Sequence, residues 1–375
     1  MRGTRRWLRI GATAVGVVAC VLGIGWLGRS AAPPDELEAM VVAAEARLAA
    51  CTRSREVAWG EAVEGKAFDH YVAASRLGTG LAFAVWDADE GRFRSGERRF
   101  TADEVFAMRA AWAPAMTRLA HGARCRDATA PSPAEHGWMV LLFGARFEIE
   151  ALLHEGRLQG AVQLWLDTGT FLLDHDTPGA IPRIWTGPTV AALPSDLAVT
   201  LAHGTAVLDA RVQALPDLVA ANAAHLRLLL DGERPLTSWH WREVFDAWDH
   251  GLDPARRHLA AFARASRVLE DLPPGAPSHA ERGAQWDALV QRATSDVDPL
   301  VAFEAQQARD RENRQRWCLT ELRTLRIGLA AHLGRPLPDL TDPWTGASLR
   351  VEHEDGAVVV HPAHPKARAT RWPTR

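Results

Sequence analysis

Apolar residues recur every three or four positions along most of the chain, which is the spacing of an amphipathic helix. One such run begins after Asp35, a residue that can cap a helix, and predicts a helix to about Thr52. The capping-box spacing of Thr101 and Glu104 predicts another helix through Leu119. The patterning therefore predicts a mainly α fold, an irregular helical bundle or short solenoid with a small C-terminal β-hairpin module.

A pair of antiparallel helices is predicted within residues 141–169. Gly144 and Ala145 place small side chains on the first helix, Glu155-Gly156 forms a turn, and Gly160-Ala161 places small side chains early in the second helix. Small residues allow two helices to approach closely, as in a tetratricopeptide-type hairpin. The sequence has no second copy at the ~34-residue period of such repeats, which argues against a regular repeat array.

Two segments depart from the helical period. Between residues 78 and 100, alternating residues flank the turn-like Asp89-Glu90-Gly91 and predict a short β-hairpin. Residues 349–351 and 358–360 alternate on either side of Asp355-Gly356 and predict a second hairpin near the C-terminus.

A long helical pattern resumes after the proline-rich break at residues 271–277 and is interrupted at Pro299. Gly334 and Pro336 are expected to end it. One face of this helix should be buried through an apolar stripe formed by Cys318, Leu322, Leu325, Leu329 and Leu333.

An N-terminal transmembrane helix is predicted from residues 10–27, an uncharged apolar stretch long enough to cross a hydrocarbon core of roughly 30 Å. Arginines precede it at positions 2, 5, 6 and 9, whereas only Arg29 follows it closely. The positive-inside rule then predicts a single pass through a bacterial inner membrane with an extracytoplasmic C-terminal body. Two alternatives stay open: a cleaved signal peptide of a secreted protein, and a lipoprotein whose processing box ends at Cys20.

Breaks in these patterns divide the chain into consecutive regions. The prolines at 33 and 34 form a short stiff linker after the membrane segment. The predicted regions are a cytoplasmic stub and transmembrane anchor (1–29), an N-terminal mostly helical region (30–130), a central helical region (131–275), a long helix with the C-terminal hairpin (276–362) and a disordered tail (363–375).

Composition and charge exclude several classes of protein. Hydrophobic residues make up 47% and charged residues 24%, which is typical of a globular protein rather than a disordered one. With 43 basic and 46 acidic side chains the net charge is -3, so we do not expect nucleic acid as a partner. The sequence contains no HExxH, GxSxG, P-loop or SxxK motif, and it indicates neither a cofactor nor a catalytic residue.

Cysteine spacing does not indicate a metal site. Cys51, Cys125 and Cys318 fit no CxxC or zinc-ligand pattern, and three cysteines beyond the membrane segment allow at most one internal disulfide. We interpret them as small buried side chains.

The histidines do not indicate a metal site either. Asp174-His175-Asp176 places a histidine between two carboxylates, and we interpret it as a solvated helix end. His353, His361 and His364 lie near a proline-containing tail, which is a poor preorganised site. The sequence therefore predicts no metal ligand.

Tryptophan is abundant, with 15 residues against a single tyrosine. Tryptophans often anchor helix packing, but indole rings also supply rigid contact area for sugars and partner side chains. Trp239, Trp241 and Trp248 lie together in one short predicted helix, and Trp241 and Trp248 share a helical face. These three residues are the predicted binding surface.

The most specific local pattern follows the long helix. Asp342, Pro343, Trp344 and Gly346 form an Asp-Pro-Trp-x-Gly loop that precedes the C-terminal hairpin. Residues 316–362 resemble the C-terminal part of uncharacterised membrane-anchored bacterial proteins and, more distantly, the loop after the long helix of type II secretion pseudopilins. The resemblance implies a packing motif in which Asp342 and Pro343 fix a turn, Trp344 covers the helix and Gly346 permits a close bend.

These observations predict a membrane-anchored extracytoplasmic helical protein that serves as an interaction or scaffold protein of the cell envelope. Its expected partners are the membrane, through residues 10–27, and an envelope protein. The alternative is an envelope hydrolase whose site is not recognisable from the sequence. A deep pocket with convergent titratable side chains would favour the hydrolase, and a shallow groove lined by tryptophan would favour the scaffold.

Overall fold

The structure is a computed structural model that describes residues 34–51, 56–89, 102–128, 138–216, 218–221, 223–231, 254–271, 279–296, 299–364 and 366–374. Within these residues the protein is mainly helical and has a small antiparallel sheet near the C-terminus, as the patterning predicts.

The helices and strands have the following bounds. In chain order the helices are α1 Pro34–Cys51, α2 Ala67–Asp89, α3 Ala102–Arg124, α4 Trp138–His154, α5 Leu158–Asp174, α6 Gly187–Ala191, α7 Ser195–Gln213, α8 Leu218–Ala221, α9 Ala223–Leu230, α10 Pro254–Glu270, α11 His279–Thr294 and α12 Pro299–His332. The strands are β1 Val63–Lys66, β2 Cys125–Asp127, β3 Arg350–Glu354, β4 Ala357–His361 and β5 Thr370–Pro373.

The chain divides into two compact units, each drawn from separate stretches of sequence, whereas the breaks in the sequence pattern predict consecutive regions. Unit 1 comprises the described residues up to Leu48 and those within Leu218–Pro273 and Gln285–Ala308. Unit 2 comprises the described residues within Ala49–Asp217, Pro274–Ala284 and Arg309–Arg375.

Three helices of unit 2 pack around the indole ring of Trp112 in α3, which is 5% exposed. A Cβ atom added at Gly78 of α2 would lie 2.8 Å from this ring, and one added at Gly144 of α4 would lie closer still. Because a side chain at either position would displace the ring, these two glycines set the distance between the helices.

The predicted pair of antiparallel helices is present as α4 and α5. Gly156 ends the first helix with φ at +71°, and the Arg157 amide donates to the carbonyl of Leu152 at 2.9 Å. This is the glycine-terminated helix end that the sequence indicates. Gly160 of α5 faces the side chain of Leu152, so the small residue lies at the contact between the two helices.

The hairpin predicted within residues 78–100 is not formed in its first half. Helix α2 continues to Asp89, so residues 78–89 are helical and the prediction was wrong there; residues 90–101 lie outside the described part of the chain. In a segment this short, the spacing of apolar residues does not distinguish a helix from a strand. A helix that has already formed from Ala67 also extends without a second nucleation cost.

Helix α12 ends as the sequence predicts. Gly334 has φ at +61°, its amide donates to Ala331 at 3.1 Å, and the Arg335 amide donates to Ala330 at 2.9 Å. These two hydrogen bonds satisfy carbonyls that the helix end would otherwise leave unpaired.

The C-terminal sheet has the order β3-β4-β5, with antiparallel pairs. The predicted hairpin turns at Asp355-Gly356, where Glu354 pairs with Ala357. The disordered tail predicted for residues 363–375 was wrong in its last part, because Thr370–Pro373 form β5 on the other edge of β4. Trp372 of β5 is 2% exposed and lies against Gly328 of α12. A strand this short is held by backbone hydrogen bonds to its neighbour, and these bonds require no alternation of apolar and polar residues in the sequence.

A buried ionic network joins α7 to α12. Asp209 is 0% exposed and accepts hydrogen bonds from Arg323, at 3.3 Å, and from Arg326. Arg323 also donates to the backbone carbonyl of Thr341 at 2.6 Å. The network therefore fixes the start of the Asp-Pro-Trp-x-Gly loop against the two helices.

Unit 1 contains two smaller clusters of buried apolar side chains. The predicted first helix is present as α1, and its residues Leu37, Val41 and Ala44 pack with residues of α9 and α10. The second cluster surrounds Trp286. Glu304 in the first part of α12 is also buried, and its burial raises the pKa of the carboxyl group to about 8.

Among the described residues, no helix is both long enough and apolar enough to cross a membrane. Residues 10–27, which the sequence predicts to do so, lie outside them.

Candidate metal centre

Two helix ends of unit 2 are brought together by a short parallel pair of strands. β1 and β2 pair in parallel, with Val63 opposite Cys125. Helix α2 begins directly after β1, and helix α3 ends directly before β2. The pairing therefore places the first turn of α2 beside the last turn of α3.

Three side chains of types that can ligate metals meet at this junction. His70 lies in the first turn of α2, His121 in the last turn of α3, and Cys125 at the start of β2. One ligand atom from each lies within 4.8 Å of the other two. The two imidazole rings have centroids 4.2 Å apart, and the buried thiol of Cys125 donates to the carbonyl of His121 at 3.4 Å.

Glycines on both sides allow this close approach. Gly65 of β1 has φ at +131°, and a Cβ atom there would lie 3.5 Å from Cys125 Sγ and 3.9 Å from His70 Nε2. An L side chain at that φ would be strained. On the other side, a Cβ atom at Gly122 would lie 2.6 Å from the ring of Tyr71, so α2 and α3 meet at van der Waals distance next to the three ligands.

The electrostatic environment favours neutral imidazole at His70. Its pKa is below the ordinary value because burial penalises the charged form, and His121 and Arg118 add to this effect while Asp69 opposes it. Neutral imidazole is the form that binds metals. The Nδ1 atom of His70 is buried and has no hydrogen-bond partner among the described residues.

The geometry fits a transition metal. In a tetrahedral zinc site the sulfur lies at about 2.3 Å and the nitrogens at about 2.1 Å, so ligand atoms are about 3.5 Å apart. The ligand atoms observed within 4.8 Å need to close by only about 1 Å. Thiolate and imidazole ligands suit Zn²⁺ or Cu(I), and they suit Mg²⁺ and Ca²⁺ poorly.

The segment Asp174-His175-Asp176 contacts Tyr71, the residue that follows His70 in the sequence. Helix α5 ends at Asp174 as expected, but the side chain of Asp174 is 1% exposed, so the predicted solvation was wrong. Tyr71 and Arg211 each donate to its carboxylate at 2.6 Å. Because Tyr71 follows His70 directly, Asp174 holds α2 in place behind the three ligands.

The flanking residues of that segment have structural contacts. His175 Nδ1 lies 2.9 Å from the carbonyl of Phe171, and its ring packs on Phe68. Asp176 has a positive φ and pairs with Arg311.

The Asp-Pro-Trp-x-Gly loop forms a hydrogen-bonded turn on α12. Asp342 accepts from the amides of Trp344 and Ala363, both at 2.7 Å, and the Gly346 amide donates to the carbonyl of Asp342 at 2.8 Å. Trp344 is 1% exposed and its indole N–H donates to Thr320 of α12 at 3.0 Å. Pro343 lies within this turn, and Gly346 has φ at +72°.

Two of the histidines near the C-terminus have contacts of their own away from this cluster. His364 packs between Trp317 and Trp344, and His361 lies 3.2 Å from Glu352 in the sheet. The predicted binding surface formed by Trp239, Trp241 and Trp248 lies outside the described residues.

The sequence does not indicate this candidate metal centre, because no recognisable ligand spacing joins the three residues. His121 and Cys125 are separated by three residues, but this spacing runs from a helix into a strand rather than along one helix. His70 joins them only through the pairing of β1 with β2. The His-x₃-Cys spacing is the single clue that the sequence offers.

No family model, curated protein or solved structure matches the chain. The resemblance of residues 316–362 to anchored bacterial proteins and pseudopilins therefore stays a prediction.

Proposed function

We propose that this chain is a membrane-anchored, extracytoplasmic protein of the cell envelope that binds a transition-metal ion through His70, His121 and Cys125. The metal-binding part rests on one observation: three ligand atoms from separate elements lie within 4.8 Å of one another. Zn²⁺ is the first ion to test, because two imidazoles and a thiolate are among its preferred ligands.

The metal-binding proposal is tested on the full-length protein in mild detergent, freed of metal and titrated with Co²⁺. Cobalt bound by a thiolate gains a sulfur-to-metal charge-transfer band, so the band should appear at one ion per chain and disappear when Zn²⁺ is added. Cys125→Ser should lose the band. His70→Ala and His121→Ala should weaken binding by on the order of 100-fold or more.

Two variants serve as matched controls. Cys318→Ser removes a thiol whose pKa is raised by burial and which therefore stays protonated. His203→Ala removes an exposed histidine of α7. Both should bind Co²⁺ as the wild type does. A band of equal strength in Cys125→Ser would overturn the proposed site.

The anchored topology rests on residues 10–27 and on the arginines that precede them. Protease added outside spheroplasts should digest the body of the chain. A body that becomes sensitive only after lysis would refute the extracytoplasmic placement.

A hydrolase is the second candidate function, and the number of ligands favours it. Within the described part of the chain three side chains form the cluster, and catalytic zinc sites use three protein ligands with water in the fourth position. A bound ion would lower the pKa of that water and supply a nucleophile. Zinc-loaded protein should then hydrolyse activated esters, and Cys125→Ser should not. If both are inactive, the ion has a structural role in an envelope scaffold. Crosslinking in the native membrane would then capture the protein partner of that scaffold.

A further inference from the structure

The three residues of the candidate metal centre differ in their exposure to solvent. Cys125 is 0% exposed, whereas His70 and His121 are half-buried. An ion bound there would have its sulfur ligand inside the protein and its two imidazole ligands close to the surface. Within the described part of the chain, no other histidine, cysteine or carboxylate joins this cluster.

Two imidazoles and one thiolate are the donor set of copper sites that transfer electrons. In those sites the three ligands form a trigonal plane around the ion, and a fourth ligand, which can be a backbone oxygen, binds weakly along the axis. Three atoms in a trigonal plane lie farther apart than three corners of a tetrahedron with equal bond lengths. The observed ligand atoms, which lie within 4.8 Å of one another, therefore need to close less around a trigonal ion than around a tetrahedral one.

A backbone oxygen lies next to the sulfur of this cluster. The carbonyl oxygen of His121 is 3.4 Å from Cys125 Sγ and accepts a hydrogen bond from the thiol. A thiol that binds a metal gives up its proton, so the oxygen then loses this hydrogen bond and can approach the ion as a weak axial ligand. Divalent copper also binds nitrogen and sulfur donors more tightly than divalent zinc does.

We propose that His70, His121 and Cys125 bind copper in preference to zinc, and that the bound copper transfers single electrons. This inference rests on the proposed metal site. A one-electron donor, such as a reduced haem or copper protein, reduces Cu²⁺ to Cu⁺, and a one-electron acceptor of the same kind takes the electron from Cu⁺. No bond to the three ligands breaks in either step, and no proton moves. The half-buried imidazole rings are the route of the electron, because a partner can reach them without touching the ion.

The test follows the wild-type full-length protein in mild detergent, freed of metal and titrated with Cu²⁺ in the absence of oxygen. An intense visible sulfur-to-copper charge-transfer band should appear at one ion per chain. Electron paramagnetic resonance should show the narrow copper hyperfine splitting of a trigonal thiolate site. Titanium(III) citrate should remove the band at one electron per chain, and ferricyanide should restore it. Zn²⁺ at the same concentration as Cu²⁺ should not diminish the band.

Three variants assign the ligands. Cys125→Ser should lose the band, whereas Cys318→Ser, which removes a buried thiol outside the cluster, should keep it. His121→Gly should also lose the band, and free imidazole should restore it, because this position is half-buried and the missing ring leaves room for the added one. A histidine with a merely structural role would not allow this rescue.

The outcomes separate this inference from the metal site on which it rests. If Co²⁺ gives its thiolate band but Cu²⁺ gives only the weak absorption and broad splitting of a tetragonal site, or oxidises the thiol irreversibly, copper electron transfer is overturned and the metal site stands. Displacement of Cu²⁺ by an equal concentration of Zn²⁺ overturns it in the same way. If neither ion gives a thiolate band, the metal site falls as well. These results come from the wild-type protein and do not depend on how the variants fold.

Discussion

Replacing Glu304 with glutamine should change how the stability of the protein depends on pH. Glu304 is 3% exposed, and burial raises the pKa of its carboxyl group from 4.5 to about 8. The unfolded chain keeps the ordinary pKa, so it releases the proton at a lower pH than the folded chain does. The free energy of unfolding therefore falls as the pH rises from 4.5 to about 8.

The expected loss is large enough to measure. Each unit of difference between the pKa of the folded chain and that of the unfolded chain changes the free energy of unfolding by about 1.4 kcal/mol. Through proton linkage, this one carboxyl group should lower the free energy of unfolding of the wild type by about 2.5 kcal/mol from ~pH 5 to ~pH 7, and by about 4 kcal/mol from ~pH 5 to ~pH 9. Glu304→Gln carries no proton to release, so this loss should be absent from the variant.

Urea unfolding of the full-length protein in mild detergent measures the difference, with tryptophan fluorescence as the signal. Trp286 is buried in the same unit as Glu304 and reports on its unfolding. Glu270→Gln, whose wild-type side chain is 65% exposed, is the control in that unit. If the free energies of unfolding of wild type and Glu304→Gln differ by the same amount at pH 5 and at pH 7, Glu304 is not the source of the pH dependence.

Three further substitutions test the packing of unit 2 by the same unfolding assay. Asp209→Ala leaves the buried Arg323 and the partly buried Arg326 without their carboxylate and should lower the free energy of unfolding by about 3–5 kcal/mol. A change below 1 kcal/mol would contradict the network. Asp342→Ala removes the acceptor of two backbone amides and should cost about 2–4 kcal/mol; wild-type stability would show that water replaces the carboxylate. Gly144→Ala should cost about 1–3 kcal/mol because the added Cβ meets Trp112, whereas Gly283→Ala, with no atom within 4 Å of the added Cβ, should be neutral or slightly stabilising. Equal effects of these two substitutions would argue against the packing around Trp112.

The features that the sequence predicted best are those that depend on neighbouring residues. Gly156 and Gly334 end helices where the spacing placed them, since a positive φ is a local requirement that glycine meets. The turn at Asp355-Gly356 is local in the same sense. Such features are visible in a few consecutive letters of the sequence.

Features that depend on distant pairing were not predictable in this way. The three residues of the candidate metal centre meet because two short strands pair in parallel, and strands of this length carry no recognisable period. Strand β5 was predicted as disordered for the same reason. The hairpin predicted near Asp89 failed because the helix from Ala67 extends through an ambiguous segment.

The way unit 2 is assembled from the chain has a consequence for its folding. Asp209 and Arg323 are 114 positions apart, and the chain between them includes stretches that belong to unit 1. Contacts at such separation form slowly, because a long loop must close first. Cutting the chain within residues 272–278 gives an N-terminal and a C-terminal fragment, and both contribute residues to this unit. The two fragments should stay bound to each other, whereas the N-terminal fragment alone should expose the apolar surface that α12 covers.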